Sequence, residues 1–368
     1  MHKVLLLGSG KIGRMIATIL TATGDYRVRV GDVDTESLDR LTAKVDVEQV
    51  IVNASDAAAL KQAMQGCDSV ISALSYRFNP TVAQAALEAG VSYFDLTEDV
   101  ETTRRVKAIS QESAVKQIFM PQCGLAPGFI SIAAYHLTKS FDSLDTVRMR
   151  VGALPQFPSN GMKYNLTWST DGLINEYCNP CESIYDGQRF DVLPLEGLEH
   201  FSLDGIRYEA FNTSGGLGTL CDTLDGQVRN LNYKTVRYLG HQHLMDFLVN
   251  DLRLSERRDL LQDILENAVP ITFQDVVVTF ATVTGRRDGE LVQVSDARKI
   301  YQQQIAGETW SAIQVTTAAG ICTALDLHAT EKLPARGFVC QEQVDLEDFL
   351  ANRFGQYYQS ESTSRFSG

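Results

Sequence analysis

An apolar run, Val4-Leu5-Leu6-Leu7, delivers the chain into Gly8-Ser9-Gly10-Lys11-Ile12-Gly13, and a helical pattern begins at once. A strand that turns through glycines into a helix leaves backbone NH groups unpaired. It also aims the positive end of the helix dipole at one point, an arrangement suited to a pyrophosphate. The spacing alone is shared by many tight turns, so the neighbouring segments must give it meaning. After a first helix over Arg14 to Thr23, Tyr26 to Val30 reads as a second strand ending at Gly31-Asp32-Val33-Asp34, about where a dinucleotide fingerprint expects an acid. Asp32 is placed to accept hydrogen bonds from the adenosine ribose hydroxyls, while Asp34 serves equally well as the N-cap of a helix over Glu36 to Leu41. A carboxylate at Asp32 repels a 2′-phosphate and no arginine follows closely, so the expected cofactor is NAD in preference to NADP.

The alternation continues. Val47 to Val52, Ser69 to Ala73, Ser92 to Leu96 and Gln117 to Met120 read as further strands, separated by helices over Ala57 to Met64, Asn79 to Ala89 and Val100 to Glu112. Asn79-Pro80 is read as an N-cap followed by proline at the first helical position. The pattern predicts a doubly wound parallel sheet of about six strands, with ligands beyond the carboxyl ends of the strands. The cofactor-contacting set is therefore Gly8, Ser9, Gly10, Lys11, Ile12, Gly13 and Asp32, joined by Ala54, Ala73, Leu74 and Asp95 from the later loops. The turn-rich crossover Pro121 to Gly128 leads into a helix near Phe129 and marks a domain boundary.

From Thr146 the strands lengthen: Thr146 to Val151, Tyr208 to Asn212, Leu231 to Tyr238 and Val276 to Thr284 suggest a mixed sheet, with helices around Asp171 to Cys178 and His243 to Asp251. Arg286 to Gly289 is a hairpin turn, and the small apolar stretch Ile313 to Leu325 suits a buried helix returning to the first domain. The expected fold is α/β, a Rossmann domain over 1–127, an inserted α+β domain built on a mixed sheet over 128–315, a returning segment over 316–358 and a disordered tail over 359–368.

Composition narrows the class of partner. A net charge of −13 and a pI near 5.0 argue against nucleic acid or an anionic membrane, both of which select basic patches. No apolar run reaches membrane-spanning length and no leader precedes the first strand, so a cytoplasmic location is expected. Seven scattered cysteines read as reduced thiols. Cys178-Asn179-Pro180-Cys181 is read as a solvent-side loop rather than half of a zinc site, and no metal is expected.

Past the crossover, Tyr76 with Phe78-Asn79, Cys123-Gly124-Leu125-Ala126-Pro127-Gly128, Thr213-Ser214-Gly215-Gly216 and Lys234-Thr235-Val236-Arg237-Tyr238-Leu239-Gly240-His241 together resemble the saccharopine dehydrogenase-like family over about Met1 to Thr330. Among its branches the chain most resembles lysine 6-dehydrogenase. The resemblance implies NAD(P)-linked oxidation of a C–N bond in a lysine-derived amino acid, by a homodimer or homotetramer, with 128–315 as its catalytic and oligomerisation domain. Saccharopine or a carboxylated polyamine as substrate, and a non-catalytic NAD-binding regulator, are the alternatives.

Such chemistry needs a carboxylate clamp and a proton-handling group. Arg237 is the favoured clamp, with Lys234 as companion, although on a regular strand the two point to opposite faces. Asp95 ends the fifth strand, where it either orients the nicotinamide ribose, acts as base or caps the next helix. Cys123 lies in the crossover, where a small side chain lets a ring approach, and His241 is a proton carrier by its ordinary pKa. Thr213 and Ser214 offer hydroxyls in a glycine turn, and Tyr164 and Ser169, with Asn165 and Trp168, are candidates to line the aliphatic part of a substrate.

Overall fold

Val4 to Leu7 are buried on both faces, which is what a continuous apolar run must achieve in a parallel sheet covered by helices on each side. The computed structural model describes residues 1–112 and 116–359. The chain forms two compact units: one from Met1–Phe129, Ile305–Glu308 and Gln314–Gln356, the other from Ile130–Gln304, Thr309–Ile313 and, of the described residues, 357–359.

In the first unit, β1 (His2–Leu7), β2 (Tyr26–Asp32), β3 (Glu48–Ile51), β4 (Ser69–Ser72), β5 (Ser92–Asp95) and β6 (Ile118–Met120) alternate with helices. The sheet order is β6-β5-β4-β1-β2-β3, extended at the β6 edge by a two-residue strand, Gly337–Phe338. Every pairing is parallel. The expectation of about six strands thus becomes seven, because a segment near the C-terminus adds an edge too short to carry any period in sequence. Short acidic side chains start the helices: Asp34 accepts from the Ser37 NH, Asp56 from Ala58 and Ala59, and Asp99 from Thr102. Asn79 is not an N-cap. It is the first residue of helix Asn79–Ala89, and its side chain accepts instead from the Ser72 hydroxyl at 2.7 Å.

The returning helix Ala312–Ala329 lies in this unit from Gln314 onward. Gly320 lets it approach the crossover turn, since a Cβ there would come within 2.6 Å of the Cys123 carbonyl oxygen. Asp326 anchors the segment. It accepts from the Tyr26 hydroxyl at 2.5 Å, from Arg353 at 2.6 Å and from Asn352 at 2.7 Å. The tail expected over 359–368 lies, from residue 360 onward, outside the described residues.

The second unit is built on an eight-stranded mixed sheet. Its strands are β7 (Ser143–Pro155), β8 (Cys181–Tyr185), β9 (Gln188–Val192), β10 (Glu199–Leu203), β11 (Ile206–Asn212), β12 (Val228–Tyr238), β13 (Asp275–Arg287) and β14 (Glu290–Tyr301). The main path is β10-β11-β12-β7-β13-β14, with β12 parallel to β7 and antiparallel to β11. The β13–β14 turn holds Asp288 and Gly289 at positive φ, as a two-residue hairpin requires. Helix Thr170–Cys178 packs in a cluster with Tyr164, Phe211, Met245, Leu261 and Leu265. The helix expected at His243 begins at His241 and passes into a π-helical turn at Phe247–Asp251. Cys178 and Cys181 do not form a solvent-side loop: one ends a helix, the other opens β8, and Cys181 is buried.

Burial alone would raise the Asp326 pKa, but the Tyr26, Arg353 and Asn352 donors hold it below the ordinary carboxylate value. Its contribution to stability is therefore present above the unfolded-state pKa and lost as pH falls through the depressed folded value. Asp326→Asn should lower stability by about 1–3 kcal/mol at pH 7. Thermal melts between pH 7 and pH 3 check this, and the variant should lose less stability on acidification than the parent.

Candidate active site

Two groups of residues stand out, one in each unit. In the first unit the turn after β1 does what its glycines allow. Gly8 has φ +104°, and a Cβ on it would lie 2.8 Å from the Ala73 carbonyl oxygen and 3.3 Å from Leu74 Cδ2. Ala73 and Leu74 therefore abut the turn, as the sequence suggested. A Cβ on Gly13 would overlap the Gly8 carbonyl, so the first turn of helix Lys11–Thr21 seats directly on the loop. Gly10, the helix N-cap, has no side-chain cap and faces space with nothing within 4 Å. Lys11 and Ile12 follow in the first turn, whose NH groups have no intrahelical acceptors.

Asp32 closes this cradle from β2. Its Oδ2 accepts both the Ser9 NH and the Ser9 hydroxyl at 2.7 Å, and Oδ1 accepts the Asp34 NH at 3.1 Å. Ser9 is thus committed to Asp32. Burial alone would raise the Asp32 pKa, but the two Ser9 bonds hold it below the ordinary value, so the carboxylate is charged at neutral pH. An open helix N-terminus with a glycine face and a fixed carboxylate fits a dinucleotide's pyrophosphate and ribose. Ala54 is buried just beyond β3.

Asp95 and Cys123 sit deeper than expected. Asp95 is 0% exposed and accepts from the Tyr93 hydroxyl at 2.6 Å and from the Thr97 and Gln122 NH groups at 2.9 Å. It ties the β5 loop to the crossover, and Asp99, not Asp95, caps the following helix. Burial pushes its pKa up to about 6. Cys123 is buried, its Sγ directed at the Met120 carbonyl, and burial raises its pKa well above that of a free thiol. A thiol held protonated in this way is a small filler rather than a nucleophile.

In the second unit Arg237 is 3% exposed. Its Nε donates to the Tyr177 hydroxyl at 3.0 Å, Nη1 donates to its neighbour's carbonyl at Val236, and the guanidinium lies over the Tyr164 and Tyr177 rings at 5.1 and 5.9 Å. No carboxylate is among these partners. Its cross-strand neighbour Glu209 uses its two oxygens on the Gly240 and Gln242 NH groups, fixing the start of helix His241–Asp246.

His241 completes a relay. Its Nδ1 faces the Met162 carbonyl at 3.0 Å, so Nδ1 carries the proton and Nε2, 3.1 Å from the Tyr177 hydroxyl, accepts from it. Burial, assisted by Arg237, pulls the His241 pKa down to about 3. The imidazole is neutral and orients Tyr177 instead of carrying protons near pH 7.

The structure brings Tyr164, Arg237 and His241 together and leaves Lys234 apart. Lys234 points to the other sheet face, where it donates to the Gly197 carbonyl and to Glu199, which also binds Arg150. Ser169 caps helix Thr170–Cys178 through Gly172, and Ser214 donates to the Pro180 carbonyl, so both hydroxyls are structural. Thr213 is on the Arg237 side with a buried, unpartnered Oγ1. Tyr177 and Glu209 were missed by sequence reasoning. Their only signals were a place on the N-capped helix and a register opposite Arg237, neither visible before strands pair. Among the described residues, no group of three or more His, Cys, Asp or Glu is placed to hold a metal, and no helix is long and apolar enough to cross a membrane.

A dinucleotide cradle on a doubly wound sheet, together with a separate mixed-sheet unit that holds a buried cationic cluster, defines a two-unit Rossmann-type protein. The chain belongs to the saccharopine dehydrogenase family: residues 4–118 match its NADP binding domain and residues 124–356 its C-terminal domain. The mitochondrial alpha-aminoadipic semialdehyde synthase of Mus musculus is 24% identical over 90% of this chain, which spans 37% of that protein's length. The NADP(+)-dependent, L-glutamate-forming saccharopine dehydrogenase of Pyricularia oryzae is 25% identical over 84% of this chain and 71% of its own. The apo saccharopine dehydrogenase structure from Saccharomyces cerevisiae superposes with a TM-score of 0.79 at 18% identity, covering 95% and 96% of the two chains, which establishes the shared fold.

Because Gly10 borders open space, Gly10→Val should leave the melting temperature nearly unchanged yet weaken dinucleotide binding about tenfold or more, as fluorescence titration with NADH or NADPH would read. Nitrogen-15 NMR should show no titration of His241 between pH 5 and pH 8, since its pKa is held at about 3.

Proposed function

We propose that the chain is a nicotinamide-dinucleotide-dependent oxidoreductase acting on a C–N bond of lysine or of a lysine-derived amino acid such as saccharopine. The observation that carries this reading is Arg237, a buried guanidinium with no carboxylate in contact, in a chain whose other unit holds a dinucleotide cradle. An arginine cannot escape burial by losing its proton, and an unpaired buried charge costs several kcal/mol. A substrate carboxylate repays that cost with charge-assisted bonds. The names of the relatives support this reading: alpha-aminoadipic semialdehyde synthesis and NADP(+)-linked, L-glutamate-forming saccharopine dehydrogenation are what they state.

When bound, the nicotinamide supplies the hydride acceptor. The chain's own residues hold and orient: Arg237 takes the carboxylate, Tyr177 fixes the guanidinium plane, Tyr164 backs it with a ring face, and neutral His241 sets the Tyr177 hydroxyl.

NAD is the proposed cofactor even though the family domain and the Pyricularia relative are described with NADP. Asp32 is charged and fixed at the end of β2, where its carboxylate would repel a 2′-phosphate brought beside it, Asp34 follows it, and Arg40 is already paired with Asp34 and Glu36. The substrate has two readings. The relatives' names favour saccharopine, whereas Arg150 and Lys234 lie on the opposite face of β12, each already in contact with Glu199, which leaves Arg237 as the clamp of the described cluster and favours an amino acid with one carboxylate.

The test is NAD(P)H formation by the purified chain with lysine, saccharopine and related amino acids. NAD+ should give the higher kcat/KM, and Arg237→Met should lower kcat/KM about 100-fold or more. Absence of turnover with every substrate despite cofactor binding sinks the oxidoreductase reading, and a preference for NADP+ sinks the cofactor assignment.

A further inference from the structure

The loop between β9 and β10, Leu193-Pro194-Leu195-Glu196-Gly197-Leu198, buries one leucine and leaves two exposed. Leu195 is 1% exposed, in the cluster that holds Tyr177 and Val249, whereas Leu193 and Leu198 are 60% and 46% exposed. The loop is pinned. Leu195 has φ +65°, a left-handed conformation that is costly for a leucine, and three hydrogen bonds keep it there. Its NH donates to the Asn212 carbonyl at 2.9 Å, the Asn212 NH donates to the Glu196 carbonyl at 2.9 Å, and Gln242 Nε2 donates to the Leu195 carbonyl at 2.8 Å. Gln242 and Asp246 are four residues apart on helix His241–Asp246 and so share a face. Asn250 extends that face into the π-helical turn and donates to Asp246 Oδ1 at 2.7 Å.

Loop and helix line a cavity of about 500 Å³, a size suited to a small-molecule ligand. Tyr177 backs it, Val249 with the exposed Leu193 and Leu198 supplies an apolar wall, and Glu196 and Asp246 supply two carboxylates. Among the described residues that line the cavity there is no lysine, arginine or histidine, and neither carboxylate is paired with a cation. The arginines nearest in sequence to the wall are engaged elsewhere, Arg253 with Glu256 and Arg258 with Asn179. Large apolar side chains left exposed around a pinned concave wall suit an apolar ligand. Two unneutralised acids in the same wall set the sign of its charge.

We propose that this cavity binds a small aliphatic amine, its chain against Leu193, Leu198 and Val249 and its ammonium on Glu196 and Asp246. An alcohol of the same length satisfies the apolar wall alone, and a carboxylate is repelled by the two acids. Arg237 is not in the wall and offers the opposite charge, so the site is distinct from the proposed carboxylate clamp. The two share Tyr177, whose ring backs the cavity while its hydroxyl accepts from Arg237. An occupant therefore rests on the residue that sets the plane of the guanidinium.

The test is calorimetry on the full chain with 1-hexylamine, 1-hexanol and hexanoate, which share one chain length and differ in head group. Hexylamine should bind at one site per chain, about tenfold or more tightly than hexanol, as expected for charge-assisted bonds, and hexanoate should bind more weakly than either. The double variant Glu196→Gln, Asp246→Asn should bring hexylamine down to the affinity of hexanol. Leu193→Ser with Leu198→Ser should weaken hexylamine and hexanol alike. No hexylamine binding, equal affinity for hexylamine and hexanol, or undiminished hexylamine binding by the acid variant overturns the site. So does binding at several equivalent sites, which is the general attraction of an amine to a chain of net charge −13. If the double variant does not fold, Glu196→Gln alone, a change to an exposed side chain, should still weaken hexylamine and leave hexanol unchanged. Hexylamine carries no carboxylate, so this site and the Arg237 reading can each fail without the other.

Discussion

A guanidinium sealed from water cannot be neutralised, and the second unit is arranged around that constraint. Arg237 emerges from β12 with its plane held by one hydroxyl, one carbonyl and two aromatic faces. Each of those partners is itself fixed. Tyr177 donates onward to His241, whose other nitrogen is pinned by the Met162 carbonyl, and the helix that starts at His241 is held by Glu209 from the neighbouring strand. The relay runs in one direction, from cation to hydroxyl to imidazole to carbonyl, so every proton position follows from its neighbour. Such a chain preserves the orientation of the cation while its charge remains uncancelled at contact distance.

The first unit solves a related problem with backbone instead of side chains. Its anion-facing surface is a helix end, and the side-chain-free faces of Gly8, Gly10 and Gly13 allow the loop, the helix and a ligand to share one small volume. Asp32 has two tasks there. Its Ser9 bonds lock the loop, and its charge sets the electrostatic character of the ribose end.

Much of the first unit was legible because its signals are local. The strand and helix periods, the Asp34 position and the glycine turn all act within a few residues of the structure they specify. Gly337–Phe338 was not legible, since two residues carry no period and their strand exists only because β6 offers an open edge. In the second unit the alternation rule separated Arg237 from Lys234 correctly. It could not show which face was buried with aromatic partners or that Glu199 neutralises the other. Ser169 and Ser214 looked like ligand contacts because a hydroxyl's commitment to a cap or a carbonyl depends on backbone geometry that sequence does not display. Tyr177 and Glu209 matter only once a helix is laid on paired strands, which is a nonlocal event.

The two faces of β12 treat their cations differently. Three residues apart on the same strand, Lys234 and Arg237 are both cations with little access to water. On one face an acid from β10 bonds to both Lys234 and Arg150, so each of those cations has a carboxylate in contact. On the other face Glu209 is spent on backbone NH groups, and the hydrogen-bond partners of Arg237 are a hydroxyl and a carbonyl. The same fold therefore shows what it does with a cation whose role is stability. Arg237 has been denied that treatment, and a site that leaves a buried charge unsatisfied is one in which binding a carboxylate recovers energy that folding did not.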